Sequence, residues 1–189
     1  QLNDAGAERV WLEPVSVPHW ERGTESVRML HPRVQNLNAL GLGGTPSGEV
    51  EGEVVVVDSL DALSEAVAGK IVLFNRPMGE SVPTVAEYAA AVGLRVNGPA
   101  KAAEYGALAA MVRSVTTRSL ATPHTGATRF VEGGRTIPAV SITTEAADSI
   151  ARLSASGTAV KVSVQTGGTW HENAAVSYTH LTLPTNDRV

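Results

Sequence analysis

Residues 99–112 read Pro-Ala-Lys-Ala-Ala-Glu-Tyr-Gly and then Ala-Leu-Ala-Ala-Met-Val, and this stretch decides the fold. The first part is a helix of small residues. Asn97-Gly98-Pro99 is expected to start it, with Pro99 in the first turn, where a missing N–H costs nothing. Gly106 is its stop. Residues 107–112 are apolar without interruption, which marks a strand covered on both faces. A helix that stops on glycine and passes into a doubly covered strand is the unit of a layered α/β domain.

The same grammar repeats outward. Toward the N-terminus, residues 70–75 (Lys-Ile-Val-Leu-Phe-Asn) are another buried strand. A short helix is expected before it, capped by Asp58 or Ser59, with Leu60, Leu63 and Val67 on one face and Gly69 as its end. Residues 53–57 contain four consecutive valines and give a further strand. Residues 76–96 read as a long loop with a partial helix near 84–92. Toward the C-terminus, residues 136–142 form a strand and Thr143 caps a helix with Ala146, Ile150 and Leu153 on one face. Val160, Val162 and Val164 alternate with polar residues, as in a half-buried strand. Residues 113–135 between these elements are polar and aperiodic.

The remaining segments are less regular. Residues 1–9 look like a helix end stopped by Gly6. Val10, Leu12, Val15 and Val17 form a strand-like stretch broken by Pro14 and Pro18, and residues 26–30 offer a hairpin partner. Leu40-Gly41-Leu42-Gly43-Gly44 reads as a linker, since it precedes a strand and lacks the lysine of a phosphate loop.

Composition narrows the function. The 189 residues are 43% hydrophobic, enough for a real core, and carry a net charge of −4 with no basic block. This argues against nucleic acid as a partner. Cysteine is absent, which removes disulfides and thiolate metal sites. No apolar run approaches the ~20 residues of a membrane span. The five histidines, His19, His31, His124, His171 and His180, are not spaced as zinc ligands. No Gly-x-Ser-x-Gly nucleophile motif occurs.

The order of these motifs resembles protease-associated (PA) domains: residues 69–75, then Ala102-Ala103-Glu104-Tyr105-Gly106-Ala107, then Ile137-Pro138-Ala139-Val140-Ser141-Ile142. Glu13-Pro14-Val15, residues 18–23, Leu40-Gly41-Leu42-Gly43, Arg113-Ser114-Val115 and Pro123-His124-Thr125-Gly126 narrow the likeness. They resemble the carboxypeptidase Q (plasma glutamate carboxypeptidase) family of di-zinc exopeptidases, in which a PA domain interrupts the peptidase domain. The resemblance covers roughly residues 1–176.

It implies a mixed α/β fold with a β-sandwich-like sheet core and short flanking helices. Residues 1–33 would be a peptidase-domain remnant with the N-terminal strands, 34–168 the PA domain and 169–176 the return to the peptidase domain. Residues 177–189 depart from the family pattern and read as a non-native tail. Gln1 in place of an initiating Met adds to the expectation that this is a segment of a longer protein.

No catalytic residue or metal ligand transfers to this chain. The implied two zinc ions belong to the full-length enzyme, which is expected to be secreted or periplasmic. The implied partners are the missing peptidase domain, a small peptide substrate and a second copy in a homodimer. His124, Arg113, Arg118 and Arg129 are the expected substrate-proximal residues, because arginines in a polar loop can grip a terminal carboxylate. His19, Trp20, Glu21 and Arg22 are the expected domain or subunit contact. A free-standing peptide- or protein-binding module is the alternative.

Overall fold

The computed structural model describes residues 2–78, 84–118 and 120–182. They divide into two compact units, residues 20–169 and a smaller one that pairs residues up to His19 with those from Trp170 onward.

The larger unit is a mixed α/β domain on one eight-stranded sheet. Its strands are β2 (Glu25–His31), β3 (Gln35–Leu37), β4 (Ala39–Gly41), β5 (Ser47–Val57), β6 (Ile71–Phe74), β7 (Ala109–Arg113), β8 (Ala139–Ile142) and β9 (Lys161–Gly167), in the order β3-β2-β9-β5-β6-β7-β8-β4. β5 belongs to two environments. Residues 47–53 pair antiparallel with β9, and residues 54–57 pair parallel with β6. β6, β7 and β8 continue the parallel set, and β4 closes it antiparallel.

Strand alternation distributes the apolar residues into two layers. Ile71, Leu73, Met111, Val140 and Ile142 face a core shared with Val27, Met29, Val162, Val164 and Ile150 of helix α2 (Thr144–Ala155). Val72, Phe74, Ala110 and Val112 face the other way, onto Leu94, Ala102 and Ala103 of helix α1 (Val85–Glu104). Both faces of the central strands are therefore covered, as their unbroken apolar runs require. α2 starts at the expected cap: Thr143 Oγ1 accepts from Ala146 N at 3.2 Å. Gly106 and Gly157 follow the two helices at φ +79° and +80°.

Four local expectations are corrected. The helix expected after residue 58 is a 3-10 turn, Glu65–Val67, capped by Ser64. Leu63 and Val67 are buried there nonetheless, so the apolar spacing served an irregular segment. The partial helix expected near 84–92 and the helix expected to start near residue 97 are one helix, whose start is fixed by the capping box of Thr84 with Glu87, and Pro99 lies inside it. An internal proline removes the helical hydrogen bond to the carbonyl four residues earlier, here that of Arg95. The next carbonyl, that of Val96, turns to the loop and accepts from Arg129 N at 3.0 Å and Thr128 Oγ1 at 3.1 Å. The Leu40–Gly44 linker is instead part of the sheet: β4 pairs with β8, Leu42 is fully buried, and Gly43 bridges Ala127. Finally, residues 10–17 and 26–30 do not form a hairpin. β2 pairs with β9 and β3, so residues 20–33 belong to the larger unit and the expected boundary at residue 33 moves to Trp20.

The smaller unit is a two-stranded ribbon of β1 (Arg9–Glu21) and β10 (Thr169–Thr182). The strands run in opposite directions, with Glu8 N bonded to Thr182 O and His19 stacked on His171. Pro14 and Pro18 do not break β1. Their even spacing puts both on one edge, and each strand of a ribbon has an unpaired edge that tolerates proline. In place of the expected helix end, residues 2–6 form turns. β10 continues to Thr182, because ladder bonds are made by the backbone and Tyr178 and Thr179 suit a strand. Residues 183–189 lie outside the described residues.

Candidate functional site

The loop between β7 and β8 begins at Ser114, a buried residue between the ends of two parallel strands. Its Oγ donates to Ile142 O at 2.7 Å and accepts from His124 N at 2.8 Å. The half-buried His124 is thus tied by its backbone to a rigid point of the sheet. Further along, Gly43 N donates to Gly126 O and Thr128 N to Gly43 O, both at 2.8 Å. The loop is laced to β4, α1 and the base of β7, although it contains no regular element.

Thr125 gathers three further ties. Its Oγ1 donates to Gly41 O at 3.1 Å and accepts from Arg22 Nη2 at 3.3 Å. Its carbonyl accepts from Arg95 Nη1 of α1 at 3.4 Å. Arg22 also donates through Nε to Gly41 O at 3.2 Å, and Glu25 accepts from Gly41 N. These bonds join β4 to the start of β2. Trp20 Nε1 donates to Thr45 O at 2.9 Å, and Thr45 Oγ1 accepts from Ala139 N at 2.7 Å.

The expected site residues separate into three groups. Arg113 is not available to a ligand. Its guanidinium donates to Asp148 Oδ1 at 2.5 Å and Oδ2 at 3.2 Å, and further to Asn75 Oδ1 and Thr144 O. Only 11% of the side chain is exposed, so this is a partly buried ion pair that fastens β7 to α2. Arg118 and Arg129 are exposed and His124 is half-buried on the same loop. Of the other group, Trp20 and Arg22 are ties inside the larger unit, whereas His19 stacks on His171 in the ribbon at 4.8 Å. Arg22 lies 3.9 Å from Glu25. Arg95 and Asp148 had no sequence signal, and Ser114 and Thr125 stood only within family motifs: each acquires its role from a residue far away in the chain.

The other histidines are dispersed. His31 Nδ1 lies 2.7 Å from Ala159 O, and His180 stacks on Trp11 with Nε2 3.0 Å from Glu13. Among the described residues no three His, Asp or Glu side chains group as a metal site needs, so the residues present do not fit zinc. Among the described residues no helix is long and apolar enough to cross a membrane.

No protein-family model matches the chain. Carboxypeptidase Q of Bos taurus is 40% identical over 179 residues, covering 92% of this chain and 36% of the relative. The Homo sapiens protein is 40% identical over 172 residues, covering 88% and 35%. Among solved structures, a peptidase M28 precursor from Shewanella amazonensis superposes with a TM-score of 0.87 at 28% identity, over 94% of this chain and 42% of that one. The zinc aminopeptidase of Bacillus subtilis, with a TM-score of 0.55 at 15% identity, shares the fold. The chain spans little more than a third of the length of the curated relatives it matches. Within that span it is a peptidase-related protein, homologous to part of carboxypeptidase Q and similar in fold and sequence to part of an M28 peptidase.

Proposed function

We propose that residues 20–169 are the non-catalytic protease-associated domain of a secreted or periplasmic zinc exopeptidase acting on small peptides. The ribbon is then the point where this domain joins the peptidase domain. The two zinc ions would be held by residues outside this chain. The domain would confine substrate or contact its partner domain, with His124, Arg118 and Arg129 on the side toward the substrate. Arg22 and Trp20 would brace the entry of the chain, and a homodimer would be the assembled form.

The observation that carries the reading is topological. The larger unit is one continuous segment whose two ends lie together. Gly23, at φ +63°, packs directly on the Gly167 backbone, and Gly168 packs on the Trp20 indole. Beyond these points the chain leaves and returns as the two paired strands of the ribbon. Adjacent ends are what allow one domain to be inserted into another.

The test has two parts. The purified chain with added zinc should not hydrolyse dipeptides; turnover would overturn the reading. In the full-length parent, replacing residues 22–167 by a short Gly-Ser linker should leave the zinc content intact and change kcat/KM. Unchanged kinetics would refute a role beside the substrate. A parent gene without zinc-ligand motifs downstream of Val176 would favour a free-standing binding module.

A further inference from the structure

The eight-stranded sheet begins with β3 and ends with β4, and only Asn38 separates these two strands in the chain. The sheet therefore curls until its two ends meet at that residue, and α2 packs inside it through Ala146, Ala147 and Ile150. Among the described residues β3 pairs with β2 alone, so its other edge is unpaired. A cleft of ≈ 290 Å³ lies between residues 35–38 and the α2 residues Glu145, Ala146 and Ser149. No residue of β2 borders it, which puts it along the unpaired edge. A second cavity of ≈ 330 Å³ lies between Pro32 and Arg33, ahead of β3, and Ser149, Arg152 and Leu153 of α2. Arg33 and Ser149 border both cavities, so the two make one groove.

One end of this groove is cationic. Arg33 and Arg152 are exposed, and among the described residues neither is in an ion pair. For Arg152 the reason is visible. It stands one turn after Asp148, the spacing at which a helix pairs a carboxylate with a guanidinium. Asp148 is instead taken by Arg113. Glu145, the other carboxylate of α2, accepts from Ala121 N at 2.8 Å and Thr144 Oγ1 at 3.1 Å. No carboxylate borders the second cavity. The opposite end is a fixed wall. Ala121 has φ +49°, a region that residues with a Cβ seldom adopt. Its N–H is held by Glu145 and its carbonyl accepts from Asn38 Nδ2 at 3.0 Å, and both of these side chains belong to residues that border the groove.

A free strand edge offers N–H and C=O groups to an extended chain, and a guanidinium pairs with its terminal carboxylate. A chain added antiparallel to β3 runs from residue 37 toward residue 35 and ends beside Arg33. We propose that the groove binds a short extended peptide as an added strand on β3, with the peptide's C-terminal carboxylate on Arg33 and Arg152. β3 is three residues long, so the match extends over roughly 10 Å. The site goes beyond the inserted-domain reading and does not depend on it, since a free-standing domain with this groove would bind the same ligand.

NMR titration of the chain with acetyl-trialanine tests the site. The peptide should shift the backbone amides of Gln35, Asn36 and Ser149. Its C-terminal amide should bind about tenfold more weakly. Arg33→Gln and Arg152→Gln should each weaken the acid about three- to tenfold, while Arg129→Gln on the β7–β8 loop should not. Both replaced side chains are exposed, so unchanged melting temperatures should accompany the loss. Methylating one peptide nitrogen at a time should weaken binding at one position and spare the next, because alternate N–H groups of a strand face its edge. The proposal is overturned if no probe binds, if acid and amide bind equally, or if every methylated peptide binds as well as the parent. It is also overturned if inorganic phosphate shifts these amides and the peptide does not, or if Arg129→Gln is the variant that loses affinity. No turnover is measured, so failure here leaves the inserted-domain reading standing, and hydrolysis by the chain would sink that reading without touching this groove.

Discussion

The central strands of the larger unit and the strands of the ribbon are both β-structure, yet they are stabilised by opposite means. Every residue of β6 and β8 is buried, and β7 is buried up to Arg113. In β1 and β10 most residues are exposed, Leu12, Trp170 and Tyr178 among them. The central strands have neighbours on both edges and a helix or strand layer on both faces. Each ribbon strand has one paired edge and depends on cross-strand pairs such as Trp11 on His180 at 5.2 Å, with Arg9 over the same indole. A two-stranded ribbon by itself is marginal in water. The lesson is that strand content says little about stability until the faces are counted.

The strongest way to break this comparison is to truncate one large side chain in each region. Phe74 is 1% exposed in the α1-side core, so Phe74→Ala should cost about 3–5 kcal/mol in chemical denaturation. Leu12 is 64% exposed, and Leu12→Ala should change stability by less than about 0.5 kcal/mol. Comparable losses would show that the ribbon is integral to the folded core.

A second substitution sharpens the point by adding volume. A Cβ at Gly98 would lie 2.8 Å from Cε2 and 2.9 Å from Cζ of Phe74. Gly to Ala in a helix normally gains up to about 1 kcal/mol. The fully buried ring has no space to move, so overpacking outweighs that gain, and Gly98→Ala should lose about 1–2 kcal/mol net. A stabilised variant would mean that this face of the core is loosely packed.

At the rim of the core, Asp148→Asn tests the ion pair that removes Arg113 from the substrate-proximal set. A hydrogen bond to a charged group contributes about 1.5–3 kcal/mol. Asp148 is 42% exposed, so solvent screens the loss, and about 1–2 kcal/mol is expected. Kinetics of the full-length enzyme should follow stability only. A specific rise in KM would return Arg113 to the site.

How much was legible follows from the same contrast. β6, β7, β8, α2 and β9 could be read because burial on both faces, or on one, writes itself into apolar runs and alternation. α1 could be read in two pieces, a partial helix near 84–92 and a helix from residue 97, but its continuity between them could not. Asn97-Gly98-Pro99 is a strong helix-start signal, overridden because Gly98 accommodates Phe74 and the Val96 carbonyl finds partners in the distant loop. The glycines of residues 41–44 looked like a linker because their use, close approach to Ala127 and pairing with β8, is tertiary. Around the candidate site, sequence marked the loop and His124 as expectations and named Arg22 only as a domain or subunit contact. It could not tell which arginine was already paired, since Asp148 is 35 residues from Arg113. Nor could it find Arg95, whose partner is 30 residues away.

The smallest expected effect concerns charges on the surface of the larger unit, where the sheet is as wet as the ribbon. Lys70, just before β6, donates to the Glu53 carboxylate on β5, and both side chains are substantially exposed. That hydrogen bond, reinforced by the ammonium charge, holds the Glu53 carboxyl below the ordinary value of 4.5. A carboxyl whose folded pKa is depressed stabilises the fold above its unfolded pKa, and the contribution is lost as pH falls through the folded value. Glu53→Gln should therefore lower the melting temperature slightly at pH 7. The difference from wild type should shrink below pH 4.5 and vanish once Glu53 is protonated in the folded state. Salt should shrink it as well, because the pair is exposed. A difference that grew on acidification would reverse the sign of the linkage. One that persisted in high salt would place this pair with the dry core instead of with the wet surfaces that the ribbon exemplifies.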